Sequence, residues 1–168
     1  MASNMYIKFI EPNIVGSSTA GEHAKEIEIL SWSHGFVQPT NPTRSTSGSG
    51  SVEQATHQNL TFTKFMDAAT TELLRACWAG NQFKQVLLTC HRSDGAKDNK
   101  PVQYLKIDMQ HVVVSNYSIS GGPGELPVEN ISLDYGVLQY TYQEQKKEDG
   151  KTGSNLPATH NLETRTIS

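Results

Sequence analysis

The residues of this chain whose types could do chemistry are scattered along it. Two cysteines, Cys77 and Cys90, form neither a zinc motif nor a disulfide framework. Six histidines have no HExxH or comparable spacing; they are His23, His34, His57, His91, His111 and His160. We therefore expect buried free thiols, solvated or hydrogen-bonded imidazoles, and a chain without a metal or a cofactor.

Catalytic arrangements are also missing from the sequence. Asp94 and Asp98 lie around Gly95 but lack the closing glutamate of a calcium loop, so they predict a plain turn. Glu125 and Glu129 could form a carboxylate pair, but two solvated acids at a sheet edge are the simpler interpretation. There is no GxSxG motif, and neither glycine-rich stretch follows a strand and opens a helix, as a phosphate-binding loop must. These patterns indicate a protein that is not an enzyme.

Length and charge narrow the class of protein further. With 168 residues and a mass of 18.5 kDa, the chain has the size of one domain. Its 14 basic and 17 acidic residues give a net charge of −3, which argues against a nucleic-acid-binding surface. The apolar runs are too short to cross a bilayer, and residues 1–9 lack the apolar segment of a secretory signal.

Alternating apolar residues predict a mainly β fold, with two sheets forming a barrel or sandwich beside one short α-helix. The predicted strands are 5–9, 25–34, 60–64, 83–92, 102–117 and 128–142, the last with a β-bulge at Gly136. The helix is predicted over Thr71–Ala79, with Thr70 as its N-cap and Gly80 ending it. We expect its apolar stripe, which includes Leu73 and Trp78, to pack on the sheet.

The chain outside these elements divides into an arm and a tail. Residues 35–53, which we call the arm, contain two prolines and then a polar run that cannot bury enough apolar surface to fold on itself. The arm is therefore predicted to be a mobile loop or a long exposed hairpin, inserted in a single domain of residues 1–143. Residues 144–168 are predicted to form a polar C-terminal tail.

Four stretches together resemble the haemolysin-coregulated protein (Hcp) family, the inner-tube subunit of bacterial type VI secretion systems. They span nearly the whole chain in the family's order. The stretches are MYIKF (5–9) with EIEILSWSHG (26–35), LTFTKFMDAATTELL (60–74), YLKIDMQHVVVSNYSISGG (104–122) and ENISLDYGVLQYTYQEQKKEDG (129–150). Where the family often has proline as the first helical residue, this chain has Thr71.

The resemblance implies a fold similar to phage tail-tube subunits and a structural role. Six copies would form a ring with a wide channel, and the rings would stack into a tube. The implied partners are the chain itself, the spike protein, the contractile sheath, the baseplate and small effector proteins carried in the lumen, with no nucleic acid and no membrane insertion. The protein would be made in the cytoplasm of a Gram-negative bacterium and secreted without a signal peptide.

The resemblance also assigns two sets of site residues. The arm would make the contacts between rings, through Gly35, Val37, Gln38, Pro39, Arg44, Ser47, Gly48, Val52 and Glu53. The channel lining would include Ser31, Ser33, Ser115, Ser118 and Ser120, which could otherwise be ordinary solvent-facing serines.

Two other functions fit the all-β composition less well. A carbohydrate-binding β-sandwich needs aromatic residues aligned on one exposed face, whereas Trp78 lies on the helix stripe and is expected to be buried. A small β-barrel enzyme would need a catalytic constellation, which the sequence lacks.

Overall fold

The structure, a computed structural model, describes residues 4–40, 54–93, 101–146 and 152–168. The arm residues Arg44, Ser47, Gly48, Val52 and Glu53 lie outside the described residues, as does the turn predicted around Gly95. The mainly β class is confirmed: the described ranges contain twelve strands, one α-helix and one short 3-10 helix, Gly21–His23.

The strands are numbered in chain order. They are β1 Met5–Ile10, β2 Ile27–Glu28, β3 Ser31–Ser33, β4 Phe36–Val37, β5 Thr56–His57, β6 Leu60–Phe65, β7 Gln82–Ser93, β8 Pro101–Ser120, β9 Val128–Asp134, β10 Val137–Gln145, β11 Thr152–Asn161 and β12 Thr166–Ile167. Helix α1 is Thr70–Ala79.

The long strand β8 belongs to both main sheets. Its first half lies between β7 and β10 in a sheet with the order β12-β11-β10-β8-β7-β1-β2. Its second half pairs with β9, which continues through β6 to β3. The register of β8 and β9 shifts between Val114 and Asn116, a bulge that bends the strand where it leaves the first sheet. The pairs are antiparallel, and over the described residues the two sheets do not close into a barrel.

The core lies between the two sheets. In β6 the buried residues Leu60 and Phe62 alternate with Thr61 and Thr63, so one face of this strand points inward and the other outward. In β1, by contrast, the consecutive residues Tyr6 and Ile7 are both buried, because Ile7 points into the core while the His23 ring covers Tyr6 on the other face. The remaining core residues come from nearly every long strand and from the helix, including Phe9, Leu73, Phe83, Leu88, Met109 and Ile131.

Helix α1 begins at Thr70, so Thr70 is not its N-cap as predicted. The N-cap position is Ala69, which makes no side-chain capping bond, and Asp67 stabilises the turn that leads into the helix: its Oδ1 accepts a hydrogen bond from the Ala69 N–H at 3.0 Å, and its own N–H donates to Thr70 Oγ1 at 3.1 Å. At the other end Gly80 adopts a left-handed conformation with φ 66°, which confirms that glycine ends the helix.

The predicted apolar stripe of the helix packs on the core only in part, through Leu73 and Cys77. Leu73 and Ala76 are buried, whereas Trp78 is 77% exposed, so its predicted burial is wrong. The residues that pack are three apart, and Trp78 lies beyond them on the solvent side because the helix rests on β8 along a narrow stripe. No helix in the described part of the chain is long and apolar enough to cross a bilayer.

A buried ionic cluster lies next to the start of the helix. The Lys64 ammonium and the Glu129 carboxylate are both fully buried, and Nζ lies 2.5 Å from Glu129 Oε2. The same Nζ donates to Asp67 Oδ1 at 2.8 Å and to Thr70 Oγ1 at 3.2 Å. Burial and this carboxylate raise the pKa of the Tyr117 phenol. The expectation that Glu129 is a solvated edge acid is therefore wrong, while Glu125 is exposed as expected.

Two further expectations about the C-terminal third need correction. Gly136 is not a bulge inside one strand, because it lies between β9 and β10, which pair with different halves of β8 and belong to different sheets. The region from 144 onward, predicted only as a polar tail, contains regular structure, since β11 pairs along β10 and β12 pairs with β11. Main-chain hydrogen bonds hold β11 in place while its side chains are mostly exposed, so its sequence has no apolar alternation.

Candidate functional site

The outer face of the second sheet carries an uncharged polar surface, which we call the polar ladder. Two rows of side chains cross all four strands, because residues in register on neighbouring strands point to the same side. The rows are Ser31–Thr63–Asn130–Ser118 and Ser33–Thr61–Ser132–Asn116. These side chains are exposed or half-buried and point away from the core.

Short hydrogen bonds within the polar ladder orient its hydroxyl groups. Ser31 Oγ lies 2.5 Å from Thr63 Oγ1, and Thr61 Oγ1 lies 3.0 Å from Ser132 Oγ. Much of the hydrogen-bonding capacity of these hydroxyls is thus used inside the surface. The two rows themselves contain no charged side chain, while the exposed acid Asp134 follows Ser132 on the same face of β9.

The structure brings the five predicted lining serines together on this face. Ser31, Ser33 and Ser118 are members of the polar ladder, and Ser120 lies in the next row beside Val128. Ser115 occupies the bulge of β8, where its Oγ donates to the Ser132 carbonyl at 3.2 Å and accepts from Asn59 Nδ2 at 2.8 Å. All five are exposed.

Sequence reasoning missed the other half of the ladder. Thr61 and Thr63 alternate with buried residues in β6, as Asn130 and Ser132 do in β9. This alternation is visible in the sequence and could have placed them on an outer face. Only the pairing of β6 and β9 with β3 and β8, however, puts them beside the serines.

The base of the arm, meaning β4 and β5, is a two-stranded hairpin separate from the two main sheets. Phe36 pairs with His57 and Val37 with Thr56, and the Gln58 N–H donates to the Gly35 carbonyl at 2.9 Å. The Phe36 and Val37 side chains are 50% and 51% exposed. Of the other described arm residues, Gln38 donates from Nε2 to the Pro39 carbonyl at 3.3 Å. The hairpin expected at the arm is thus present in its described part.

A chain of imidazole and phenol groups joins the base of the arm to the first sheet. We call it the His–Tyr chain; its members in order are Tyr140, His34, Tyr135, His57 and His160. His34 Nδ1 lies 2.6 Å from Tyr140 Oη, and His34 Nε2 lies 2.7 Å from Tyr135 Oη. His57 Nδ1 lies 2.7 Å from the same Tyr135 Oη, and His57 Nε2 lies 2.7 Å from His160 Nδ1.

Burial sets the protonation of this chain. It lowers the pKa of His34 to about 4, against a partial opposing effect of a backbone hydrogen bond with Gln58, and His57 nearby lowers it further. Burial and neighbouring His160 also lower the pKa of His57. Burial raises the pKa of Tyr140 to about 12 and also raises that of Tyr135. At neutral pH the chain is therefore uncharged at these four groups.

A second imidazole pair lies at the opposite edge of the first sheet. His23 Nε2 is 3.0 Å from His91 Nε2, and His23 Nδ1 is 2.8 Å from Glu26 Oε2. The Tyr6 ring stacks on His23 with 4.5 Å between centroids. Sequence reasoning treated the histidines as isolated, and the structure instead groups five of the six. Among the described residues, no three histidine, cysteine or acidic side chains are arranged to hold a metal ion.

Over the described residues, a single copy leaves apolar surface and strand edges uncovered. Within these ranges, strands β2 and β12 end the first sheet, and β3 pairs in the second sheet only with β6. Near one end of the second sheet, Phe65, Met66, Ile119 and Leu126 are exposed. Exposed apolar side chains beside unpaired edges are typical of surfaces that associate with other chains.

Comparisons with known proteins agree with this geometry. The family model described as "Type VI secretion system effector, Hcp" matches residues 6–142. Protein hcp1 of Pseudomonas aeruginosa is 35% identical over 163 residues, which cover 96% of this chain and 96% of that protein. A solved structure of a type six secretion system protein is 28% identical, with a TM-score of 0.86 over 99% of this chain and 100% of its own. Hcp1 from Salmonella typhimurium, 24% identical, shares the fold with a TM-score of 0.78 over the whole of both chains. The chain therefore belongs to the Hcp family of the type VI secretion system.

Proposed function

We propose that six copies of this chain close into a ring, and that the rings stack into the inner tube of a type VI secretion system. The polar ladder faces the channel, and the arm makes the contact between rings. The observation that carries the proposal is the polar ladder itself, eight uncharged side chains spread over four strands of one exposed face.

Ring closure follows from what one copy leaves uncovered. A neighbour related by rotation would cover a strand edge on one side and the exposed apolar group around Phe65 on the other. Such a contact uses two different surfaces of each copy, so it closes only if the rotation divides a full turn. Along the tube axis the same kind of contact stays open and adds ring upon ring.

A neutral channel suits the transport of folded cargo. The polar ladder presents hydroxyl and amide groups, so small effector proteins of different charge would meet neither strong attraction nor repulsion. We propose that effectors ride in this lumen, and that the contractile sheath, the spike and the baseplate are the partners outside it. The role is structural, and no catalytic step is assigned to any residue.

We assign the stacking of rings to the arm because hydrogen bonds hold its base in a hairpin while side chains of the hairpin stay exposed and can contact another ring. Phe36 and Val37 are half-exposed on the hairpin, and the polar segment that follows can form main-chain hydrogen bonds with a neighbouring ring. Each contact of this kind is weak, and repetition around a ring strengthens it. A stack built in this way can also be taken apart.

The aromatic residues do not favour a carbohydrate-binding module. Trp32 packs partly buried against the core, and Trp78 lies exposed on the helix rather than on a sheet face. They therefore do not form the aligned aromatic platform on which a sugar ring stacks.

The test compares the full chain with a variant lacking residues 44–51. Light scattering of the full chain is expected to give about six times the 18.5 kDa chain mass, with larger stacked species as concentration rises. The shortened variant should keep the ring mass and lose the larger species. Trp78→Ser serves as a control, because Trp78 is an exposed residue of helix α1 and does not belong to the arm.

Two results would contradict the proposal. A monomer at every workable concentration would rule out the ring. If the shortened variant instead loses the ring mass while the Trp78→Ser control retains it, the arm joins the copies within one ring and does not join one ring to the next.

A further inference from the structure

The His–Tyr chain is not accounted for by the ring or the tube. It fastens the base of the arm to the first sheet, since His34 and His57 belong to the arm side while Tyr140 and His160 lie in β10 and β11. Any contact between rings that uses the arm therefore depends on the hydrogen bonds of the His–Tyr chain.

Every hydrogen bond of the His–Tyr chain has one donor and one acceptor when its three imidazoles are neutral. A neutral imidazole has one N–H donor and one bare nitrogen acceptor, and a phenol can donate once and accept. The four bonds can then run in one direction, from the Tyr140 hydroxyl through His34, Tyr135 and His57 to His160 Nδ1. Adding a proton puts a second donor on an imidazole and reverses part of this order.

The surroundings offer little to offset a positive charge. Phe36 packs over His34 with 4.5 Å between ring centroids and contacts the His57 ring at 4.9 Å. Asp134 acts on Tyr135 from β9 and Cys90 acts on Tyr140 from β7, while at His34 a backbone hydrogen bond with Gln58 opposes the effect of burial only in part. None of the four hydrogen bonds of the His–Tyr chain is made to a carboxylate. Two charged imidazoles in contact, such as His57 and His160, would repel each other.

We infer that the His–Tyr chain couples the position of the arm to pH: protonation of its imidazoles releases the arm base from β10 and β11. If the arm stacks rings, as proposed above, acid then separates the rings and leaves each ring intact. The second half of this inference rests on the proposed function, whereas the first half does not.

The direction of the effect follows from the lowered pKa values. His34 has a pKa of about 4 when docked and 6.5 when free, so the docked state binds fewer protons. The contribution of this group to docking is therefore complete above pH 6.5 and is lost as the pH falls toward 4. His57, whose pKa is also lowered, acts in the same direction.

Hydrogen–deuterium exchange of the full-length protein tests release of the arm without relying on stacking. Exchange of the peptides that contain residues 35–39 and 56–58 is measured at pH 7.5 and at pH 4.5, after correction for intrinsic rates. We expect their protection to fall by roughly tenfold to a hundredfold at the lower pH, from the pKa difference of His34. Peptides from β6 and β9 should keep their protection.

Substitutions of its histidines test whether the acid-induced loss of protection arises in the His–Tyr chain. His34→Gln combined with His57→Gln keeps a donor and an acceptor at each position and cannot be charged, so it should remove the acid sensitivity. His160→Gln alters only the outer end of the chain and gives a second reading if the double variant does not fold. His111→Gln is the control, because His111 pairs with Glu163 and is not a member of the His–Tyr chain.

The outcomes separate the two proposals. Release of the arm base at pH 4.5 in the wild type and the His111→Gln control, but not in the His34→Gln, His57→Gln double variant, supports the inference even if light scattering finds no stacked rings. In that case the stacking role of the arm fails and the pH coupling stands. Unchanged protection of the arm peptides between pH 7.5 and pH 4.5 in the wild type would overturn the inference, as would equal acid sensitivity in the wild type and the His34→Gln, His57→Gln double variant.

Discussion

The protein contains two polar clusters of opposite character, the ionic cluster beside the helix and the His–Tyr chain at the base of the arm. The first joins a lysine to two carboxylates and a hydroxyl with no solvent access to Lys64 or Glu129. The second joins neutral rings by hydrogen bonds near the surface. A buried charge is costly to leave unpaired. The His–Tyr chain has neutral hydrogen bonds, and protonation of one imidazole is enough to disturb their order. The comparison indicates that the helix is fixed and the arm is releasable.

The ionic cluster gives the largest expected effect. Lys64→Met removes the cation and leaves the Glu129 carboxylate buried without it, which should lower the free energy of unfolding by about 3–5 kcal/mol. Lys84→Met is the matched control: Lys84 lies 3.3 Å from Glu11, both are exposed, and the loss should be below about 1 kcal/mol. Urea unfolding at one chain concentration measures both variants. Equal losses would mean that the buried cluster contributes no more than a surface pair.

The His–Tyr chain gives a smaller effect. Tyr135→Phe removes the hydroxyl at its centre and deprives His34 and His57 of one partner each, at a cost of about 1–3 kcal/mol at pH 7.5. Tyr142→Phe, at an exposed tyrosine of β10, should stay within about 0.5 kcal/mol. The same urea experiment, repeated near pH 4.5, should bring Tyr135→Phe closer to the wild type, because acid already weakens the chain. A constant difference at both pH values would contradict this.

Local sequence patterns predict the elements of this fold better than their surroundings. Alternation in β6 and the glycine after α1 are properties of a few neighbouring residues, and both predictions hold. Burial of Glu129 and exposure of Trp78 depend instead on which element packs on which face. Charge alone therefore suggests a solvated acid at 129, and an apolar ring suggests a buried residue at 78.

The candidate site follows the same division. The lining serines can be found because the sequence resembles a family, and alternation could add their threonine neighbours. The His–Tyr chain could not be found in this way, because His34 and Tyr140 are 106 residues apart and meet only through the pairing of distant strands. Likewise, β11 is mostly polar and has no apolar alternation, and it becomes a strand because β10 provides an edge.

Negative-stain electron microscopy of the purified chain tests the ring directly. We expect annular particles of sixfold outline with an open centre, some of them stacked end to end at neutral pH. Small solid particles of the size of one chain, at all concentrations and without any hollow assembly, would contradict the assignment of this protein as a tube subunit.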